Sequence, residues 1–399
     1  MTEPVIHLSK AVNAFTSAID LGISRVESHS QRVAYISTAI GEAIGLSESE
    51  LNELYLASLL HDIGVSRKRE LVKISQFELE EDNFLPHCKR GAELLNRCLL
   101  FSHLANVVLS HHDSWKGHSF SGLQGNNIPL LSRIIHLADR VEVLLTPNEY
   151  YLWVADEIKE RIKTGSAARF DPTLVEAFLE VSASDKFWLD LNTKYHQTQL
   201  EKFHNSFETP VTIDELEQMA ELFASQVDDK SPFTARHSRG VARKAVELAK
   251  LFDFSETDIR LMWVAGLLHD LGKLAKPDEI LEYPGKLDQK QMLVMKRHTY
   301  FTYQLLGQMG PGFSKIQPWA AYHHEKLNGS GYPFGLKGKD LDLGSRIMAV
   351  ADITQALTEE RPYRGAMKTS DVTRILTQAV KDNHLDGDVV NKAIKYLIS

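Results

Sequence analysis

Apolar residues recur three and four positions apart along most of the chain. Val33, Ile36, Ala39, Ile40, Ala43 and Ile44 form one such stripe, and Val241, Ala245, Val246, Leu248, Ala249 and Phe252 form another far downstream. That spacing gathers side chains on one face of an α-helix, whereas strand-like alternation is short and rare here. The pattern predicts an all-α protein with short loops and no substantial sheet. Some helix starts are explicit. Asp171-Pro172 opens a helix expected to run through Val181, since proline suits the first helical position. Thr212 to Glu215 reads as a capping box with Val211 and Leu216 as its hydrophobic staple, which starts a helix from 213 to about 227. The amphipathic face of that helix suits packing between two halves, the start of a second half, or a homodimer interface.

Comparison of distant stretches shows one domain written twice. His29-Ser-Gln-Arg-Val-Ala matches His237-Ser-Arg-Gly-Val-Ala, and Leu59-Leu60-His61-Asp62-Ile63-Gly64 matches Leu267-Leu268-His269-Asp270-Leu271-Gly272, both 208 residues apart. Helices of identical length must therefore lie between these landmarks. Further on, His87 pairs with His298, His111-His112 with His323-His324, and Asp139 with Asp352, at offsets of 211, 212 and 213. Small loop insertions produce such a creep, and a spacing this long indicates tandem duplicated domains rather than a solenoid. The boundary is placed near 205, giving domains 1–204 and 205–399.

Length agrees, because 399 residues suit two cores better than one. A formal charge of −8 gives no broad basic face for a long nucleic acid, so a nucleotide ligand should be small and held by a few placed cations. The two cysteines, Cys88 and Cys98, lack metal-site spacing and suit a reducing compartment as buried small residues. The N-terminus lacks a signal-peptide pattern, and no apolar run approaches the ~20 residues of a membrane span, so the expectation is a soluble cytoplasmic protein without membrane partners.

Histidine placement supplies the chemistry. After residue 205 the histidines are His237, His269, His298, His323, His324 and His384, and all but the last fall on repeated positions, joined there by Asp270 and Asp352. Imidazoles and carboxylates without thiolates suit iron, manganese or zinc, and seven groups exceed the needs of one ion. Two divalent metal ions are expected, with Asp270 bridging them. Two ions about 3.5–4 Å apart clamp a phosphoryl group for in-line attack. Lys273, three residues after Asp270, is placed to neutralise a phosphate oxygen, although a solvated surface lysine would look the same in sequence.

With these residues in hand, the second half resembles the HD-GYP phosphodiesterases, a branch of the HD superfamily of metal-dependent phosphohydrolases. The resemblance runs through HSRGVA, LLHDLGK, the single His298, HHEKLNGSGYP, SRIMAVAD and RPYR. It implies a helical domain that opens a cyclic dinucleotide, cyclic di-GMP or 3′,3′-cyclic GMP-AMP, to the linear 5′-phosphorylated product. It further implies His237, His269, Asp270, His298, His323, His324 and Asp352 as metal ligands and Asp270 and Lys273 as the catalytic pair. Lys273 would contact the scissile phosphate, Tyr332 a base, and Arg361 and Arg364 the second phosphate or a guanine edge. Two departures stand out: Asn328 replaces the family's aspartate before the loop glycine, and Phe233 replaces a glutamate of trinuclear members, which favours two metals. Rival readings are a non-catalytic cyclic dinucleotide receptor and a mononucleotide phosphohydrolase.

The first half keeps the complete ligand set, His29, His61, Asp62, His87, His111, His112 and Asp139, and should also hold metal. Val65 stands in place of the lysine, and neither the GSGYP loop nor the arginines are present. This half reads as an HD domain that is a second phosphohydrolase for the linear product, a regulatory sensor, or a scaffold. Lys116, His118 and Arg140 are the basic residues placed by sequence to replace the missing phosphate contacts.

Overall fold

The computed structural model describes residues 6–23, 28–65, 85–117, 121–145, 150–192, 195–206, 211–230, 237–281, 283, 285, 287–360 and 365–398. Phe233, His118, Arg361 and Arg364 lie outside the described residues. The chain separates into two compact units, His7–Thr209 and Pro210–Ser399, the latter taking in Met1–Ile6 as well. Among the described residues there are helices and no strands, only isolated bridges such as Asn328 with Lys337.

In the N-terminal unit the order is α1 (Leu8–Ile23), α2 (His29–Ala43), α3 (Glu48–Leu60), α4 (Leu85–Leu95), α5 (Ala105–Leu109), α6 (Leu130–Val143), α7 (Tyr151–Thr164), α8 (Pro172–Val181), α9 (Asp185–Asn192) and α10 (Tyr195–Ser206). The C-terminal unit has α11 (Ile213–Lys230), α12 (His237–Leu251), α13 (Glu256–Leu268), α14 (Asp278–Leu281), α15 (Gln289–Gln308), α16 (Ile316–Ala321), α17 (Leu343–Thr358), α18 (Thr369–Lys381) and α19 (Gly387–Ala393).

The repeat is visible in element lengths. Helices α2 and α12 each have 15 residues, and α3 and α13 each have 13. Both members of the second pair begin at a serine cap: Ser47 accepts the Glu50 N–H and Ser255 the Asp258 N–H. Helix α8 starts with Pro172 behind the Asp171 cap and ends at Val181, as its sequence predicts. Thr212 and Glu215 form the expected capping box, each side chain accepting the other's backbone N–H, with Val211 and Leu216 buried beside it. Helix α11 continues to Lys230, beyond the expected end near 227.

Each core forms where the paired helices cross. In one unit α2 packs on α3 and α6, and in the other α12 packs on α13 and α17. Val33, Ile36 and Ile40 are fully buried on α2, as are Val241, Ala245 and Leu248 on α12. Burial of such side chains at ~25 cal/mol per Å² of apolar surface drives this packing. It also brings the start of α2 or α12, with its histidine, to the His-Asp pair that ends α3 or α13 and to the aspartate on α6 or α17.

Candidate functional site

In the C-terminal unit every ligand candidate sits at a helix terminus or on a helix facing one. His237 is the first residue of α12, His269 caps the end of α13, His298 lies within α15, His323-His324 follow α16, and Asp352 lies on α17. The turn after Asp270 lies directly on α15, and Gly272 permits it. A Cβ there would fall 2.0 Å from the His298 carbonyl oxygen, and Gly64 meets His87 in the same way at 1.9 Å. The glycine after each His-Asp pair is therefore a packing requirement.

Three imidazoles are locked in one orientation. Nδ1 of His269, His298 and His323 lies 2.7, 2.8 and 2.7 Å from the carbonyl three residues earlier, Gly266, Met295 and Ala320 respectively. A carbonyl only accepts, so Nδ1 donates and each Nε2 presents a lone pair inward. His237 is oriented from α17 instead, with Nδ1 3.1 Å from Glu359.

The inward atoms converge. His298 Nε2 is 3.3 Å from His323 Nε2 and 3.5 Å from Asp270 Oδ1, and His269 Nε2 is 3.2 Å from Asp270 Oδ2. His237 Nε2 is 3.1 Å from Asp352 Oδ1, and His324 Nδ1 is 3.9 Å from Asp352 Oδ2. Donors sharing one ion at about 2.1 Å stand roughly 3.0–3.4 Å apart, so most of these separations fit shared coordination. The two oxygens of Asp270 face different histidines, as a bridging carboxylate's would. His269 Nε2 is buried without a hydrogen-bond partner, which a bound cation would remedy. Lys273 Nζ sits 2.5 Å from Asp270 Oδ2 at the edge of the cluster.

Electrostatics point the same way. Burial pushes His298 down to about 3 and His323 well below the histidine range, so both stand neutral, the form that binds metal. Burial opposes charge on Asp270 too, but His269 and Lys273 hold its carboxyl well below the usual range. His237 moves the opposite way: burial would lower it, but hydrogen bonds to Asp352 and Glu359 push it up to about 9. The same carboxylate field favours a cation.

Beside this cluster the segment 329–336 is laced onto the residues after His323. Tyr332 N–H is donated to the His324 carbonyl at 3.2 Å, and the buried Glu325 carboxylate accepts N–H groups from Phe334 (2.7 Å) and Leu336 (3.0 Å). Gly331 lies so close that a Cβ would fall 2.4 Å from Glu325 Cα. The Tyr332 ring rests on His324 with centroids 4.9 Å apart, and Lys296 Nζ lies 5.0 Å from the tyrosine ring centre. Sequence reasoning named neither Glu325 nor Lys296.

The N-terminal unit repeats the cluster. Asp62 Oδ2 is 3.4 Å from His61 Nε2 and 3.7 Å from His29 Nε2, while Oδ1 is 3.4 Å from His87 Nε2 and 3.8 Å from His111 Nε2. Asp139 lies 3.6 Å from His29 and 3.9 Å from His112. His29 is oriented by Glu142 at 2.6 Å, and Glu142 also accepts two N–H groups of Arg32. Burial would lower His29, but Glu142 pushes it up to about 10. Arg140 is buried, and its Nε and Nη2 are both given to Asp139, so the structure commits it to that carboxylate, while Lys116 is the exposed cation among the described members of that sequence-based set. Cys88 is buried and free, with Sγ 3.6 Å from His87 Nε2.

A further pair escaped the sequence reading. Asp20 accepts the N–H and Oγ–H of Ser30, and Asp228 accepts the Oγ–H of Ser238. Both pairs tie down the start of the helix bearing the first histidine. They stand 208 residues apart like the histidines themselves, and that offset was the signal available to find them.

No described helix is long and apolar enough to cross a membrane. The HD-domain family matches twice, over residues 26–144 and 221–389. The chain is 34% identical over 399 residues to the 3′3′-cGAMP-specific phosphodiesterase 1 of Vibrio cholerae, covering 98% of this chain and 92% of that one. Over 120 residues, 30% of this chain and 32% of the other, it is 44% identical to the cyclic di-GMP phosphodiesterase response regulator RpfG of Xanthomonas campestris. The crystal structure of the V. cholerae cyclic GMP-AMP specific phosphodiesterase V-cGAP3 superposes with a TM-score of 0.69 at 26% identity, covering 98% of both chains.

Proposed function

Because the chain belongs to the HD-GYP family of HD-domain phosphodiesterases, we propose that its C-terminal domain, bounded by sequence at residues 205–399, opens a cyclic dinucleotide in the cytoplasm. 3′,3′-Cyclic GMP-AMP is the preferred candidate, since relatives similar along the whole chain carry that name, and cyclic di-GMP is the alternative. The observation carrying the proposal is Asp270: its two oxygens face two different histidines, His298 and His269, Lys273 touches one of those oxygens, and the Tyr332 loop borders the same cluster.

His237, His269, Asp270, His298, His323, His324 and Asp352 would hold two divalent ions such as iron or manganese. When bound, such ions supply an activated water and neutralise charge at phosphorus. The chain's own residues do the rest. The donated Nδ1 protons fix His269, His298 and His323, and Glu359 fixes His237. Lys273 presents its ammonium to a phosphate oxygen, and Tyr332 borders the substrate. Arg361 and Arg364, assigned by their place in Arg-Pro-Tyr-Arg, would hold the second phosphate or a guanine edge. Water adds to phosphorus, the ribose 3′-oxygen leaves and takes up a proton, and the product keeps a 5′-phosphate.

For the N-terminal domain, bounded by sequence at residues 1–204, the matching array around Asp62 favours a second metal-dependent phosphohydrolase that removes the terminal phosphate from that product. A regulatory metal site is the other reading. For the C-terminal unit, an intact donor set argues against a pure receptor, which needs no such cluster.

The test incubates metal-loaded protein with cyclic dinucleotides, linear dinucleotides and mononucleotides, and separates the products. Asp270→Ala should abolish opening of the cyclic substrate, whereas Tyr332→Ala or Arg361→Ala should mainly weaken its binding. Full activity of the Asp270 variant would sink the mechanism.

A further inference from the structure

Lys296 has a combination of properties that no role so far uses. It lies on α15 two residues before His298, half-buried, with Nζ 5.0 Å from the centre of the Tyr332 ring. Among the described residues its ammonium has neither a hydrogen bond nor a carboxylate within ion-pair distance. Lys273 differs, because its charge is met by Asp270 at 2.5 Å. An ammonium over an aromatic face is held by the ring quadrupole without being neutralised, so it stays available to an anion. The alignment of the two halves adds an independent observation. His87 corresponds to His298, which places Leu85 opposite Lys296, just as Val65 stands opposite Lys273. The cation at this position thus occurs only in the half that also has the GSGYP loop.

A cyclic dinucleotide carries two phosphodiesters on opposite sides of its sugar–phosphate ring. With one over the metal cluster, where Lys273 serves it, the other reaches away from the cluster, and the loop bearing Tyr332 and the ammonium of Lys296 border the cluster on one side. We infer that Lys296 is a substrate-contacting residue whose ammonium, presented by the Tyr332 ring, binds the phosphodiester that is not being cut, which leaves Arg361 and Arg364 the guanine edge or a shared hold on that phosphate. The inference rests on the proposed cyclic dinucleotide reaction. It assigns Tyr332 a second duty, since a ring that seats the ammonium has one face engaged.

The test compares wild type with Lys296→Met and Lys296→Arg on two substrates, the cyclic dinucleotide and bis(4-nitrophenyl) phosphate, which has a single phosphodiester. Loss of one charge-assisted contact should raise KM for the cyclic dinucleotide about 10-fold at low salt. The effect should shrink at high salt, kcat should stay nearly unchanged, Lys296→Arg should recover most of the loss, and bis(4-nitrophenyl) phosphate should be cut as by wild type. Equal losses on both substrates would place Lys296 at the scissile group or in the fold and overturn the inference. So would an unchanged KM, or a KM effect indifferent to salt, which would leave Lys296 as a mere tether for Tyr332. A second arm measures equilibrium binding of the cyclic dinucleotide to Asp270→Ala protein with and without Lys296→Met. Should wild type bind the cyclic dinucleotide without cutting it, the proposed reaction fails, while this arm still decides whether Lys296 makes the contact.

Discussion

Asp20 is buried and accepts two hydrogen bonds from Ser30, yet burial outweighs them and raises its carboxyl to about 6. The pH consequence has a definite sign. An unfolded aspartate titrates near 3.9, so this group's stabilising contribution is fully present below about pH 4 and is lost as pH rises through about 6. An asparagine side chain at this position cannot titrate. In chelator, to remove metal effects, urea unfolding of Asp20→Asn relative to wild type should therefore shift in the variant's favour by about 2 kcal/mol between pH 4 and pH 7. Parallel pH profiles of the two proteins would refute the assignment. At this scale the sequence was informative wherever chemistry recurred. The histidines and aspartates stood out because each type is uncommon and each appears at the same offset in both halves. Asp20 and Asp228 shared that offset but lacked a distinctive neighbour. The commitment of Arg140 to Asp139 was hidden, because adjacency along a helix does not say where a long side chain folds back.

At the scale of elements, helix lengths were legible and the loop was not. Identical spacing between landmarks required equal helices, and α2 with α12 and α3 with α13 meet that requirement. By contrast, the hold of Glu325 on the Phe334 and Leu336 N–H groups depends on the chain doubling back, which periodicity does not encode. The approach of Lys296 to Tyr332 needs the same fold-back. Gly331 is the hinge of this arrangement, because its missing Cβ leaves room for the backbone of Glu325 and Lys326. Gly331→Ala should push the loop off His324 while leaving the ligands in place. The expected result is a loss in kcat/KM of at least about 10-fold for the cyclic dinucleotide, of the size that misplacing a positioned group produces, with bound metal unchanged by elemental analysis. Loss of metal along with activity would mean that the loop also supports the ligand shell.

Across the whole molecule, the duplication makes the two clusters separately testable. Both halves hold an aspartate whose two oxygens face different histidines, but only the C-terminal half has Lys273, Lys296 and the Tyr332 loop. The His/Asp donor cluster is therefore common to the two halves, and Lys273, Lys296 and the Tyr332 loop are what sets the C-terminal half apart. Asp62→Ala breaks the N-terminal cluster alone, since Asp62 is within 4 Å of His29, His61, His87 and His111. Metal content should fall by the N-terminal share while the C-terminal share remains. Opening of the cyclic dinucleotide should continue at about the wild-type rate if the two clusters act independently. If the N-terminal unit is a phosphohydrolase, the linear 5′-phosphorylated product should then accumulate where wild type carries it one step further. If it is instead a regulatory site, the variant should show altered opening of the cyclic substrate and no change in the fate of the product. Unchanged rates for every phosphatase and phosphodiesterase substrate would leave that unit as a scaffold and eliminate the second-enzyme reading.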